Sequence, residues 1–208
     1  MGSTQALGVA LRPSSSALRR VVHEGGADDL ARRAVKGDRR AFSALMTAHK
    51  EGLYRFVRRR SRDPEEAYDI VQEALVSAWS AIARFDPDRP FGAWLRSIAL
   101  NKCRDRARRA SVRHMLLGSC PASAAESVRD QSPTPEDELI ARDDLAALAR
   151  AMAALPSHLR EALTLTAVDG MSQAAASAVL GCSVKSVEYR VHRAREIVAL
   201  KIGLDPRS

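Results

Sequence analysis

Hydrophobic positions recur at three- and four-residue steps over most of this chain, and nowhere do they alternate as a half-buried strand requires. From about Arg39 to Arg60, Phe42, Leu45, Met46, His49, Leu53, Phe56 and Val57 share one face. Over 64–84 the pattern repeats with Ala67, Ile70, Val71, Ala74, Ala78, Trp79 and Ile82. It breaks at Phe85-Asp86-Pro87-Asp88-Arg89-Pro90, where two prolines forbid a helix, and resumes near Phe91 with Trp94, Leu95, Ile98 and Ala99 on the inner side. A shorter helical stretch, with Leu30, Ala34 and Val35, precedes these from Asp28. Periodicity is lost from Arg113 to Ser132, which is rich in Ala and Ser with prolines nearby. It returns in Leu145, Leu148, Met152 and Leu155, then in Leu159, Leu163 and Val168, and finally in Val184, Val187, Val191, Ala194 and Val198. The pattern predicts an all-α protein: two small helical domains joined by a flexible linker, the C-terminal one a helix-turn-helix.

Capping residues fall where these helices should start. Asp38 follows Gly37, Asp63 precedes Pro64 with Glu66 three residues on, and Ser172 and Ser183 flank the Gly181-Cys182 turn. Thr134 and Pro135 open the second half in the same way, followed by Glu136 and Asp137 at the positive end of the helix dipole. The expected division is a flexible arm over 1–27, an N-terminal domain over 28–112, a linker over 113–133, a C-terminal domain over 134–203 and a tail over 204–208. Fully extended, a linker of about 20 residues reaches roughly 65 Å. That is close to two turns of duplex at about 34 Å each.

Charge adds a partner. Lys and Arg outnumber Asp and Glu by 33 to 25, which points to a polyanion. The excess is not spread evenly. Asp69, Gln72 and Glu73 occupy the polar face of one helix, while Arg96, Lys102, Arg104, Arg106, Arg108 and Arg109 crowd the next. One face suits a protein partner and the other suits phosphates and base edges. Arg58, Arg59, Arg60 and Arg62 cluster at a helix C-terminus, where the simpler reading is a favourable interaction with the helix dipole. In the last helix Lys185, Ser186, Glu188, Tyr189, Arg190, His192, Arg193 and Arg195 point away from the apolar stripe, and Ser183 stands at its start. Residues near the start of such a helix meet base edges in the major groove, and the later arginines hold phosphates.

The three cysteines, Cys103, Cys120 and Cys182, are too far apart for a metal clip and are expected to be free thiols in a reducing cytoplasm. His49 reads as a packed core histidine, and no second ligand lies at metal-site spacing around His192. No apolar run approaches the roughly 18 to 20 residues that a membrane span needs. The first residues do not resemble a signal peptide. No metal, cofactor or catalytic group is expected.

The run DIVQEALVSAW, then RFDPDRPFGAWL, then a helix carrying Asn101 and the pair Arg108-Arg109, resembles region 2 of an extracytoplasmic-function (ECF) sigma factor of the sigma-70 class. The closing MSQAAASAVLGCSVKSVEYRVHRAREIVAL resembles region 4 of the same family. The resemblance implies a factor that brings core RNA polymerase to promoters, with no catalysis of its own. It implies a stress response, control by an anti-sigma protein, and work in the cytoplasm.

Residue by residue, it places polymerase docking on Asp69, Gln72 and Glu73. Capture and contact of the melted minus-ten strand fall to Phe85, Arg89, Phe91, Arg96, Asn101, Lys102, Arg104, Arg106, Arg108 and Arg109. Reading of the minus-thirty-five duplex falls to Ser183, Lys185, Ser186, Glu188, Tyr189, Arg190, Arg193 and Arg195. The chain departs from the usual family pattern in NKCRDRARR, where a more apolar helix is common, and in Glu188 and Tyr189. Two rival readings are a conventional helix-turn-helix regulator and a DNA recombinase. The first leaves Asp63 to Arg109 without a task, and the second requires strands that the pattern lacks.

Overall fold

The computed structural model describes residues 26–116 and 135–203, and every regular element among them is helical. In the N-terminal domain α1 (Ala27–Val35), α2 (Arg39–Arg58), α3 (Pro64–Ala81) and α4 (Phe91–Leu116) pack together. In the C-terminal domain α5 (Pro135–Ala153), α6 (Ser157–Leu163), α7 (Gln173–Leu180) and α8 (Val184–Ile202) do the same. The arm, residues 117–134 and the tail lie outside the described residues, as do the expected cap at Thr134 and Cys120. Helix α4 continues through Leu116, four residues past the expected domain boundary.

The caps read from sequence form. Asp38 accepts from the backbone N–H groups of Arg40 at 2.9 Å and Ala41 at 3.1 Å. These bonds, with the Arg33 guanidinium, hold its carboxyl below the usual range. Asp63 accepts from Glu66 N–H at 2.7 Å, and Glu66 reaches back to accept from Arg62 N–H at 2.7 Å, which fixes the entry to α3 from both directions. Ser172 and Ser183 cap α7 and α8 through Ala175 N–H at 3.1 Å and Ser186 N–H at 3.2 Å.

Between α7 and α8 the chain turns at Gly181, with φ at 67°, a left-handed conformation that a side chain disfavours. Open space surrounds its missing Cβ, so Gly181→Ala meets only the backbone penalty. Thermal unfolding should show a loss of about 1 kcal/mol for that variant.

The core of the N-terminal domain is built from Leu45, Phe56 and Val57 of α2, Ile70 and Val71 of α3, and Leu95 of α4, all essentially without solvent contact. Burying one such side chain contributes about 1.5–3 kcal/mol. Ala67, Ala74 and Ala78 place small residues where α3 meets its neighbours.

Four expectations are corrected. Trp79 does not sit inside: it is 37 % exposed at the rim, edge-on to Phe42 at 4.8 Å between ring centroids, with the Arg39 guanidinium over its ring. Val168 was expected inward and is 58 % exposed, while Leu165 is fully buried. Val168 lies five residues beyond Leu163, off the three- and four-residue steps that mark an inner face, whereas Leu165 follows the buried Ala162 by three; a π-helical turn spans Thr164–Val168. Leu145 and Leu148 of α5 are exposed, and Ala151 and Leu155 carry that packing. Val184, at the first turn of α8, is also exposed, so the buried stripe begins at Val187.

Candidate polymerase and nucleic-acid interfaces

Helix α3 turns its buried positions toward α2 and α4 and leaves Asp69, Gln72 and Glu73 in solvent. Val76 and Tyr68 are exposed on the same helix, so the surface mixes apolar area with charge, as protein interfaces do. Two of the acids are not isolated. Arg106 of α4 reaches Glu73 at 3.3 Å and Asp69 at 3.8 Å. A residue expected to face DNA is thus placed beside the acids expected to meet the polymerase, where it clasps α4 to α3.

The loop before α4 forms an aromatic cluster. Phe85 and Phe91 are only 4 % and 5 % exposed, with their rings edge-on at 5.4 Å. Trp94 tilts against Phe85 at 4.8 Å and against Phe91 at 5.4 Å, and it is only partly buried. The ring nearest the surface is therefore Trp94, the one whose helical spacing argued most for core. Phe85 and Phe91 support the loop from beneath, and neither face is open to stack on a base. Gly92 keeps α4 close to α2, since a Cβ there would lie 3.2 Å from the His49 ring.

Along α4 the cations divide by environment. Arg89, in the preceding loop, and Arg109 are exposed. Arg108 pairs with Asp105 at 3.0 Å, and Lys102 is half-buried. Asn101 accepts from Arg104 at 2.8 Å, and Arg104 also donates to both carboxylate oxygens of Glu161 on α6, at 2.8 and 2.5 Å. That fork raises the Arg104 pKa further. Arg96 is half-buried and its pKa is lowered, first by desolvation; the Arg59 charge adds to this and Asp169 opposes it.

Cys103 lies inward on α4, and burial pushes its thiol up to about 11. Against an ordinary value of 9.0 this leaves about 100-fold less thiolate near neutral pH. Alkylation at pH 8 followed by mass spectrometry should therefore modify Cys103 at least 100-fold more slowly in the folded chain than in urea.

In the C-terminal domain α8 presents Lys185, Glu188, Tyr189, Arg193 and Arg195 to solvent, with Ser186 and Arg190 half-buried. Ser183 has a structural task, its hydroxyl accepting from Ser186 N–H and lying 3.0 Å from the Ser186 hydroxyl. Arg193 donates to Glu196 at 3.0 Å, and this bond, ahead of the His192 charge, lowers the Glu196 pKa. Among the described residues Lys185, Arg190 and Arg195 make no ion pair. No group of His, Cys, Asp and Glu among the described residues could hold a metal ion. No described helix is long and apolar enough to cross a membrane.

Sequence reasoning missed Asp169 and Glu161. Asp169 reads as a helix end before Gly170, and Glu161 as one acid on a polar face. Nothing local marks either as the partner of an arginine more than 50 positions away.

The arrangement is one helical domain with an acid-bearing face, joined to a helix-turn-helix with a basic outer face. The sigma-70 region 2 family model matches residues 45–113, and the sigma-70 region 4 model matches 145–198. The RNA polymerase sigma factor CnrH of Cupriavidus metallidurans is 41% identical over 179 residues, which cover 85% of this chain and 94% of that protein. The ECF sigma factor SigM of Mycobacterium tuberculosis is 32% identical, covering 87% of each chain. Among solved structures, CnrH in complex with the cytosolic domain of CnrY aligns with a TM-score of 0.57 and 37% identity, covering 85% of this chain and 96% of that one. The chain belongs to the sigma-70 family and, within it, to the ECF RNA polymerase sigma factors.

Proposed function

We propose that this sigma factor docks on core RNA polymerase through Asp69, Gln72 and Glu73, and that its two domains divide the promoter between them. The N-terminal domain takes the melted minus-ten strand and α8 reads the minus-thirty-five duplex. The observation that carries the reading is the separation of charge. Exposed acids lie on α3. Exposed cations lie on α8, with more cations at the far end of α4.

On the minus-ten side, Trp94, Arg89, Lys102, Arg108 and Arg109 are the residues whose surroundings best suit a single strand. Stacking on an accessible ring and phosphate contacts together offset the cost of unstacking bases. Phe85 and Phe91 act by holding that loop in shape. On the minus-thirty-five side, Lys185, Glu188 and Tyr189 lie on the first turns of α8, where base edges come within reach, and Arg190, Arg193 and Arg195 hold the backbone.

Sigma factors as a class are not catalysts, and the chemistry here belongs to the polymerase. CnrH has been solved with the cytosolic domain of CnrY. By the same logic an anti-sigma protein covers the polymerase-binding face of this chain until a stress signal releases it in the cytoplasm. Gel filtration of the chain with purified core polymerase tests the docking. Stoichiometric co-elution that weakens on Gln72→Lys and is lost when Asp69, Gln72 and Glu73 are all replaced by lysine supports the reading. Tight, specific duplex binding by the chain alone, with no co-elution, would replace it with a conventional helix-turn-helix regulator.

A further inference from the structure

The two domains touch, and the contact is electrostatic at its centre. Helix α4 of the N-terminal domain packs against α7 of the helix-turn-helix. Beside it, Arg59 donates from Nε to Asp169 at 2.6 Å, and Arg60 donates to the other oxygen of the same carboxylate. The Asp169 side chain is 1 % exposed, and Arg60 is held in turn by the Phe56 carbonyl at 2.8 Å and by the Phe56 ring beneath its guanidinium. A second link, Arg104 to Glu161, uses both carboxylate oxygens, with Glu161 mostly covered and Arg104 partly in solvent.

We infer that Asp169 and Glu161 form an autoinhibitory interlock, in which Glu161 of the helix-turn-helix domain occupies Arg104 and Asp169 closes on Arg59 and Arg60 beside Arg96, so that Arg96 and Arg104 are withheld from nucleic acid. Three observations carry this. The guanidinium fork that binds a carboxylate is the same fork that binds a phosphate, so Glu161 and a DNA phosphate compete for Arg104. Arg96 lies in the field of Asp169 and Arg59, within the same covered patch. Third, reading two promoter elements about two duplex turns apart requires the domains to separate, whereas here α4 and α7 are in contact.

The interlock is also poised to open. Asp169 is the buried counter-charge for Arg59 and Arg60, and it offsets the desolvated charge of Arg96. Its neutralisation leaves Arg59, Arg60 and Arg96 of the N-terminal domain crowded without their counter-charge, and removing one member of a buried ion pair is the costly direction. A polyanion arriving at α4 satisfies the same arginines from the other side and releases the acids to water. Free chain is thereby kept from holding DNA indiscriminately.

The assignment of Arg96 and Arg104 to DNA rests on the family resemblance and on the proposed minus-ten role of the N-terminal domain, but the interlock is measured without DNA or polymerase. Small-angle scattering of the full chain in 50 mM NaCl should show a compact particle. Asp169→Asn with Glu161→Gln should raise the radius of gyration by about 5 Å or more at unchanged helix content, and 500 mM NaCl should move the parent chain the same way. Arg59→Gln with Arg60→Gln attacks the contact from the other domain and should expand the chain likewise, should the acid variants lose helix.

Anisotropy with a mixed-sequence single-stranded oligonucleotide should then tighten at least 5-fold for the acid variants. It should tighten much less for Asp28→Asn with Asp29→Asn, which changes net charge equally at a remote site. Equal radii for the parent chain and both pairs of variants, or equal tightening in the Asp28 and Asp29 control, would overturn the interlock and leave the polymerase reading untouched.

Discussion

Replacing Asp69, Gln72 and Glu73 together by lysine is expected to cut polymerase-dependent initiation by at least about 100-fold, with helix content unchanged. All three side chains are in solvent, so the core does not register the change. The effect has two sources, and the structure separates them. Lysines at 69 and 73 lose the partners of Arg106 and set like charges beside it, which loosens the α3–α4 clasp. Gln72→Lys does not touch that clasp and reports docking alone, with an expected loss of about 10-fold. Arg106→Gln is the matching control. A docking role for the acids predicts little or no loss from this substitution, because it frees both carboxylates for the partner.

The second large effect is expected at α8. Lys185→Ala with Arg190→Ala should weaken minus-thirty-five duplex binding by about 1–3 kcal/mol per contact, together roughly 100-fold or more. The salt dependence of binding should become shallower at the same time, since each lost phosphate contact removes about one unit from the slope. Stability should be spared, because the buried side of α8 consists of Val187, Val191, Ala194 and Val198. By contrast Ser183→Ala removes the cap, and its cost of about 1 kcal/mol should appear in melting as well as in binding. Fluorescence anisotropy on a duplex, paired with thermal unfolding, distinguishes a lost contact from a loosened helix.

What the sequence made legible was whatever is decided within a few residues. Asp38, Asp63, Ser172 and Ser183 are caps because each side-chain oxygen lies two or three positions from the N–H it accepts. The buried stripes of α2 and α3 follow from period alone, as Leu45, Phe56, Ile70 and Val71 show.

Legibility ended where several elements meet. Trp79 falls on the inward stripe by spacing, yet it lies at the rim, 37 % exposed against Phe42 and Arg39. A π-helical turn spans Thr164–Val168, and no residue in TLTAV signals it; Leu165 is buried there and Val168 is not.

The same limit applies to the candidate sites. Basic character along α4 was plain, but which cations remain available was not. Arg104 is held by Glu161 and Arg106 by Glu73, from helices whose approach is set by tertiary packing. Phe85 and Phe91 are aromatic residues in a loop, and only the packed structure shows that the ring left accessible belongs to Trp94. The exposure of Asp69, Gln72 and Glu73 was the easiest feature to read, because an exposed helical face follows directly from the buried one opposite.

Run-off transcription tests the central claim most directly, using purified core polymerase with and without this chain on fragments that include its own upstream region. Discrete, heparin-resistant transcripts should appear only when the chain is present and vanish with the Asp69, Gln72 and Glu73 lysine variant. Initiation indifferent to that variant, or no initiation from fragments that the chain binds tightly as duplex on its own, would contradict the account.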